Sequence, residues 1–426
     1  MAINVLVIDS GGRGHALAWK IKQSSRIGKL YIAPGNGGTH DIAENIAIET
    51  TDINSLARFA EKNSIDLTIV GPENPLIIGV VDVFRSRGLR IFGPNRAAAQ
   101  IEASKAFAKR LMRDCGIPTA PFRIFRRYNN ALEYVRKHGT PIVVKASGSA
   151  LGKGAYPCKI LAKAEKALSE IMIERAYKKA GNEVIIEEFL DGQEVSIHAL
   201  CDGKTSVLLP TAQDHKPIFD GDQGPNTGGM GTITPVPWVM SQTLQEIEEQ
   251  IVSPTLQTLI KKKRSFTGCL YPGLKITDEG PQVLEFNARF GDPETQSYMR
   301  LLKTDMLDVL DACVDGNLAE LTLEWNSGFS VCIVLASGGY PGKYKKGIPI
   351  FGISEAEKIP GVVVFHAGTM YSDQLRTSGG RVLGVTAIGK TLQEALDQAY
   401  EAVRCIKFKG RQFRKDIGAK AIAMGF

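Results

Sequence analysis

Glu285, Asn287 and Arg289 occupy alternate positions in the stretch VLEFNARFGDPET, residues 283–295. The surrounding apolar spacing reads as a strand. Alternation along a strand sends these three polar side chains to one face and Phe286 to the other, toward a core. Two oxygen donors on one face suit Mg²⁺, which keeps waters and shares phosphate oxygens. A guanidinium on the same face can clamp an anion that develops during reaction. A solvated strand face can carry such residues too, but E-x-N-x-R followed by a Gly-Asp-Pro turn is harder to reach by chance.

Three further stretches supply groups of complementary kinds. In VVKASGSALGKG, residues 143–154, a strand delivers Lys145 and a Gly/Ser/Ala turn delivers Lys153. Two ammonium groups and unhindered backbone N–H groups suit a polyphosphate, and Gly152 and Gly154 permit close backbone approach. The spacing is not Walker A, because no G-K-[ST] occurs here. VIIEEFLDGQEVS, residues 184–196, reads as a strand leaving the core at a hinge. Backbone groups there can read the edge of a flat heterocycle, and Glu194 can hold a ribose diol. QDHKPIFDGDQGPNTGGMGT, residues 213–232, reads as a long polar loop able to close over a small zwitterion and exclude water. Its His215 reads as a loop hydrogen-bond partner, since no second His or Cys has metal-ligand spacing. Finally, VLVIDSGGRGHAL, starting at Val5, has the strand–turn–helix form of an anion site. Asp9, however, stands where the first glycine of such a turn belongs. His15 on the following helix fits either a ligand contact or a local cap. No Ser–His–Asp or Cys–His arrangement is visible.

The elements that must position these groups change character along the chain. Residues 3–93 alternate mostly apolar strands (3–8, 30–33, 67–70, 91–93) with helices (15–23, 55–62, 77–87). Such alternation predicts a parallel sheet covered on both faces, with ligands at the strand carboxyl ends. Residues 96–115 read as one long helix ended by Gly116 and Pro118. Strands at 122–125, 142–146 and 183–189 follow, with a helix from Ala162. Further strands are expected at 195–200 and 206–211, then a helix carrying Leu244, Ile247 and Ile251 that Pro254 interrupts, and a hairpin turned at 278–281. The last ~100 residues read as a smaller α+β unit.

Bulk properties narrow the class. At roughly 150 residues per domain, 426 residues suggest about three domains. A hydrophobic share of 43% and a charged share of 23% fit a soluble globular enzyme. No apolar run can span a bilayer, and a secretory leader is not evident. Seven scattered cysteines without a C-x-x-C pair argue for a reducing cytosol and against disulfides or a zinc site. The formal charge of +7 fits attraction of small anions. Its densest run, KKKR at 261–264, reads as a solvated helix end rather than a nucleic-acid footprint.

The order of the pieces — Lys145, a glycine loop, EEFL, a long glycine-rich loop, then EFNARFGDPETQ — resembles the ATP-grasp ligases. GGRGHALAWK, APGNGGT, DLTIVGPENPL, IFGPN, SKAFAK, GPNTGGMG, GGYPG, FHAGT, GGRVLGVTAIG and RKDIG extend the resemblance, over essentially the whole chain, to the phosphoribosylamine–glycine ligase family of purine biosynthesis. The resemblance implies an α/β and α+β multidomain protein: an N-terminal parallel-sheet, Rossmann-like domain over 1–103, an ATP-grasp domain over 104–325 with a mobile lid at about 122–192, and a small C-terminal α+β domain over 326–426. It implies ATP-dependent joining of glycine to 5-phosphoribosylamine through an acyl phosphate, with Mg²⁺ or Mn²⁺. On this reading Lys105 and Lys145 hold ATP phosphates together with Gly152, Lys153 and Gly154. Glu187, Glu188, Phe189 and Leu190 line the adenine hinge, with Glu194 near the ribose. Glu285 and Asn287 hold the metal, and Arg289 steadies the acyl phosphate, with Lys145 as its catalytic companion. Asp214, Lys216, Asn226, Thr227, Gly228 and Gly229, with Gly291, Asp292, Pro293 and Glu294, border the two substrates. Gly11 and Gly12 receive the ribosylamine phosphate. A cytoplasmic monomer or dimer is expected, without nucleic-acid or membrane partners.

The sequence also departs from the pattern that the resemblance implies. The usual G-x-G-G-R-E-H is here D-S-G-G-R-G-H, so Asp9 and Gly14 replace Gly and Glu. The usual K-A-D-G-L-A-A-G-K-G has Ser147, Ser149 and Leu151 instead, and Pro157 follows in a strand where it cannot donate. A carboxylate about 4 Å from a ligand phosphate costs on the order of 1–4 kcal/mol, unless Asp9 points away, is protonated or pairs with a cation such as Arg13. Two alternatives therefore stand beside the main reading: a paralogue that ligates another amine, and a nucleotide-binding protein without turnover.

Overall fold

Val5, Leu6, Val7 and Ile8 are all fully buried, as strands covered on both faces must be. They belong to the strand Ile3–Asp9, the centre of a five-stranded parallel sheet. Its neighbours are Ile27–Pro34 and Glu44–Asn45 on one side, Leu67–Val70 and Ile91–Phe92 on the other. The computed structural model describes residues 2–148 and 154–426. Gly152 and Lys153, with Ser149 and Leu151, lie outside the described residues.

The long helix expected over 96–115 is two helices, Gln100–Ala103 and Lys105–Cys115. Ser104 breaks it by taking extended backbone and accepting the Phe107 N–H at its hydroxyl (3.2 Å), an N-cap in mid-sequence. The break puts Lys105 at the first position of its helix. The helix expected over 77–87 is likewise divided, into Glu73–Ile78 and Val80–Ser86, by left-handed Gly79. Pro254 follows a π turn, Glu248–Val252, that separates the helix Ser241–Ile247 from Ser253–Lys261 without leaving helical backbone, so the chain is irregular rather than broken there.

Next comes a four-stranded antiparallel sheet ordered Phe122–Phe125, Val184–Glu188, Ile142–Ala146, Ala155–Cys158. Pro157 lies on its edge strand, the one place in a sheet that tolerates proline. A second antiparallel sheet is built around Thr267–Thr277, which pairs with Gln193–Ser196, Ala199–Asp202 and Gly280–Asn287. The third unit brings a correction. The stretch 214–232 is not one irregular loop. Its ends are strands, Gln213–Asp214 and Gly231–Thr234, and its middle pairs Pro217–Phe219 with Gln223–Asn226. The end strands join Phe329–Ala336, Arg381–Gly389 and Val363–His366 in one five-stranded sheet. Gly231 allows this, because a Cβ there would lie 2.6 Å from the Cys332 carbonyl oxygen.

One core joins the parallel sheet, the sheet around Thr267–Thr277 and the third unit, whereas the four-stranded sheet has its own around Ile142, Val144, Val184 and Ile186. Val5 and Leu17 of the first sheet and helix pack in the same buried cluster as Tyr298, Leu310 and Phe365. Among the described residues, no helix is long and apolar enough to cross a membrane, and all seven cysteines are free thiols.

Candidate active site

A cavity of about 500 Å³ opens where the sheets meet. Its two ends differ, one rich in lysine and the other in arginine.

At the lysine end, adjacent strands of the four-stranded sheet set Val143 opposite Glu187. The Glu187 carboxylate is 3% exposed and pairs with both Lys145 and Lys109, the latter at 2.6 Å. Lys109 also donates to the Thr119 hydroxyl (2.7 Å), and Lys145 to the Leu284 carbonyl (3.1 Å). Burial pushes the Glu187 carboxyl up, but the Lys145 and Lys109 charges outweigh it and hold it below the usual range. Burial, with help from Lys145, pushes the Lys109 ammonium down to about 8 against the pull of Glu187. Glu187 thus lines the cavity as expected, yet its carboxylate anchors lysines instead of facing a heterocycle. Glu188, Phe189, Leu190 and Glu194 line the same end, and Gly154 joins them.

Ser147, one of the departures, ties the two lysine-bearing elements together. Its hydroxyl accepts the Ala106 N–H (3.1 Å) and its carbonyl accepts the Lys105 N–H (2.7 Å). The segment carrying Lys145 thereby caps the helix that begins at Lys105.

In the middle, Glu285 and Asn287 share a face of Gly280–Asn287, paired with Gly273 and Tyr271 respectively. Lys105 Nζ is 3.8 Å from Glu285. Burial raises the Glu285 carboxyl, but Lys105, Lys216, Lys145 and Arg289 overcome this and hold it at about 2. It is therefore an anion at any physiological pH. Asn287 Oδ1 accepts from Arg289 (3.1 Å). The Arg289 guanidinium lies between Glu102 (3.4 Å) and Glu73 (3.6 Å), so its position is fixed. The donor set is chemically right for Mg²⁺ or Mn²⁺: two oxygens, one of them an ionised carboxylate, with room for phosphate and water. Among the described residues, no cluster of three His, Cys, Asp or Glu forms a self-sufficient metal cage.

Lys216 pairs with Glu194 at 3.2 Å, and that carboxylate keeps the ammonium firmly charged. Beyond it, Asp214 and Glu294 approach one another. Burial and the Glu294 charge push the Asp214 carboxyl well up, and its Oδ1 has no hydrogen-bond partner. Glu294 accepts from Tyr271 (2.7 Å) and Ser196 (2.9 Å). A buried carboxyl oxygen without a partner costs free energy that an ammonium group would offset.

The arginine end is assembled from distant parts. Arg381, from the third sheet, donates to the carbonyls of Gly228 (2.6 Å) and Asp292 (2.7 Å) and pairs with the Asp292 carboxylate (3.2 Å). Tyr340 accepts the Gly228 N–H (3.2 Å). Left-handed Gly229 packs where a Cβ would lie 2.5 Å from Asp214 and Pro293. Gly291 donates to His198 Nε2 (3.0 Å), and His198 Nδ1 contacts the Tyr298 hydroxyl (2.9 Å). Arg13 enters from the first turn. Asp9 does pair with it, at 2.8 Å, and also accepts the Gly11 N–H at 2.7 Å.

Most expected site residues therefore line one cavity: Lys105, Lys145, Gly154, Glu187, Glu188, Phe189, Leu190, Glu194, Asp214, Lys216, Asn226, Thr227, Gly228, Glu285, Asn287, Arg289, Asp292 and Glu294. Gly229, Gly291 and Pro293 shape its wall from behind. Gly11 and Gly12 do not line it, and the Gly11 N–H expected to meet a phosphate is already bound to Asp9. His15 accepts the His366 N–H (2.9 Å) in a buried contact and does not reach the cavity. His215 is a hydrogen-bond partner, accepting from Gly418 N (3.2 Å). Lys109, Glu73, Glu102, Tyr271, Tyr340 and Arg381 were not singled out in the sequence. Four of them nevertheless sit inside stretches that carry the resemblance, Arg381 in GGRVLGVTAIG, Glu73 in DLTIVGPENPL, Lys109 in SKAFAK and Tyr340 in GGYPG, whereas Glu102 and Tyr271 do not.

The chain is similar to known proteins over nearly its whole length. Three family models match, described as Phosphoribosylglycinamide synthetase, N domain (residues 3–102), ATP-grasp (A) domain (103–295) and C domain (330–420). A phosphoribosylamine–glycine ligase of Caldanaerobacter subterraneus is 47% identical over 98% of this chain and 100% of its own length. One from Rhodopirellula baltica is 48% identical over 98% of each. The crystal structure of phosphoribosylamine–glycine ligase from Thermotoga maritima superposes with a TM-score of 0.86 at 34% identity, covering 97% of this chain and 100% of that one. A biotin carboxylase from Campylobacter jejuni, in complex with an ATP analogue, shares the fold at a TM-score of 0.74 and 13% identity, covering 97% of this chain and 93% of its own.

Proposed function

The chain belongs to the phosphoribosylglycinamide synthetase family, and from that premise we propose how its residues divide the work. The activity is ATP-dependent ligation of glycine to 5-phosphoribosylamine. ATP phosphorylates the glycine carboxylate, which turns a poor electrophile into a glycyl phosphate. The ribosylamine nitrogen then attacks the carbonyl carbon, a C–N bond forms, and phosphate leaves. The products are glycinamide ribonucleotide, ADP and phosphate.

In our reading Lys105 and Lys145 receive the ATP phosphates, with Gly152, Lys153 and Gly154 contributing from the glycine loop. The backbone of 187–190 reads adenine, and Glu194 lies near the ribose. Glu285 and Asn287 would hold Mg²⁺ or Mn²⁺, which when bound neutralises charge on the transferring group. Arg289 steadies the acyl phosphate, and its clamping by Glu73 and Glu102 pre-pays its orientation. Asp214 and Glu294 face the glycine ammonium, while Asp292 and Gly228 border the ribosylamine. The domain limits 1–103, 104–325 and 326–426, a lid at about 122–192, a monomer or dimer, and a cytoplasmic location belong to the same proposal.

One observation carries this reading: residues of all three matched regions line one cavity. Arg13 comes from the first, Lys145 and Glu285 from the second, Arg381 from the third. The test is ADP release with Mg·ATP, glycine and fresh 5-phosphoribosylamine, each left out in turn. Release that needs both substrates and yields glycinamide ribonucleotide is expected. Glycine-dependent release indifferent to phosphoribosylamine would mean another amine, and ATP binding without release would mean a binding protein. A Glu285→Ala variant with full activity would sink the metal assignment.

A further inference from the structure

Asp9 is 3% exposed at the end of its strand, beneath the first turn. One carboxylate oxygen accepts the Gly11 N–H and the other holds Arg13 Nε. Arg13 Nη1 donates to the Phe290 carbonyl (3.1 Å). Two of the three guanidinium nitrogens are thus tied to fixed partners, and Arg13 still lines the cavity beside Asp292. Its main-chain N–H reaches the Asp292 carboxylate at 3.4 Å.

The space around Asp9 is equally particular. A Cβ on Gly14 would stand 2.4 Å from the Asp9 Cβ and 2.8 Å from its Cγ. A Cβ on Gly71 would stand 1.9 Å from Asp9 Oδ2. The Asp9 Cβ is fixed by the backbone, so the clash at position 14 has no cheap escape. Gly14 is therefore the room that Asp9 needs. The two departures from the expected G-x-G-G-R-E-H pattern are one coupled change.

We propose that Asp9 is a positioning residue for ribosylamine binding: it fixes the Arg13 guanidinium so that the free edge meets the ribosylamine phosphate, and Gly14 and Gly71 supply the space this carboxylate occupies. The proposal rests on the reading that the arginine end of the cavity takes the ribosylamine. A guanidinium held at two nitrogens loses little freedom on meeting an anion, which favours binding. Asp9 lies behind Arg13, so its charge anchors the cation rather than opposing the ligand.

The experiment compares Asp9→Asn, Arg13→Met, Gly14→Ala and the double variant Asp9→Gly/Gly14→Ala by melting temperature and by the KM for each substrate. Asp9→Asn keeps the volume and removes the charge. It should raise the KM for phosphoribosylamine about tenfold, the scale of one charged hydrogen bond, with the KM values for ATP and glycine within about twofold. Gly14→Ala alone should lower the melting temperature. The double variant should recover it while keeping the raised phosphoribosylamine KM, which separates packing from positioning even if Asp9→Asn folds poorly. Arg13→Met with a raised KM beside a double variant and an Asp9→Asn of normal KM would overturn the role of Asp9. An unchanged KM in Arg13→Met would overturn the underlying reading of where the ribosylamine sits. A double variant that melts no higher than Gly14→Ala would overturn the coupling.

Discussion

The two ends of the cavity are built on opposite plans. At the lysine end, Lys145 and Glu187 come from neighbouring strands of one sheet, and Ser147 links them to the helix of Lys105 and Lys109. At the arginine end, Arg13, Asp292 and Arg381 come from three separate parts of the chain and meet only in the folded molecule. The lysine end has its carboxylate countercharge buried between its cations. The arginine end has a buried neutral imidazole, His198, beside its turn. The difference teaches that one end of a cavity can be built within a single sheet and its capping helix while the other is assembled from parts distant in the chain.

Acid should break the comparison most strongly. Burial holds His198, His215 and His366 down at about 4 and His15 at about 3. His198 braces the turn before Asp292, His15 and His366 bond each other behind the first turn, and all four are neutral in the fold at pH 7. Below pH 6.5 the unfolded chain binds protons that the folded chain refuses, so stability falls from pH 6.5 down to the folded values and no further. Each histidine contributes up to about 1.4 kcal/mol per pH unit in that window. His198 accepts the Gly291 N–H at Nε2, so protonation there also breaks the turn before Asp292. Hydrogen exchange on lowering the pH should show protection lost around residues 11–15 and 291 before 142–146 and 184–188. The reverse order would refute the contrast.

Glu187→Ala comes next. It leaves Lys109 and Lys145, which are 2% and 6% exposed, unpaired. Loss of one partner from a buried ion pair costs about 3–5 kcal/mol. Denaturant unfolding should register that loss, and the KM for ATP should rise with it.

Arg381→Ala sharpens the arginine end. It removes donors to Gly228 and Asp292 and leaves the Asp292 carboxylate without its strongest countercharge. A loss of about 2–3 kcal/mol in kcat/KM for glycine and phosphoribosylamine is expected. An effect confined to ATP would place Arg381 elsewhere in the reaction.

Ser147→Ala should be mildest, about 1 kcal/mol of stability with a few-fold higher KM for ATP, as for a lost helix cap. Ser147→Asp, which restores an acceptor at that position, should recover both.

Legibility followed the same divide. Glu285 and Asn287 could be read because strand alternation places them two residues apart on one face, and Lys145 because it stands on an apolar strand just before a glycine-rich turn. Arg381 could not, because nothing local links position 381 to Gly228, 153 residues away. The parallel sheet was readable from its apolar runs. The break at Ser104 was not, because it depends on Ser147 and Gly148 packing against the helix start. Glu187 looked like a hinge carboxylate because its two lysine partners arrive from other elements. Asp9 looked misplaced for a related reason: the partner was four residues away, but the space at Gly71 was 62 away.

The shared third sheet bears on how the chain can be shortened. Gly231–Thr234 pairs along its whole length with Phe329–Ala336 and is buried throughout. A chain cut at residue 325 would strip that partner and bare the ladder groups of Thr232 and Thr234, together with the Ile233 side chain. Unpaired apolar edges of this kind template association between copies. The last hundred or so residues thus act as a built-in guard against aggregation, and a fragment lacking them should sediment as oligomers even if its first two sheets form.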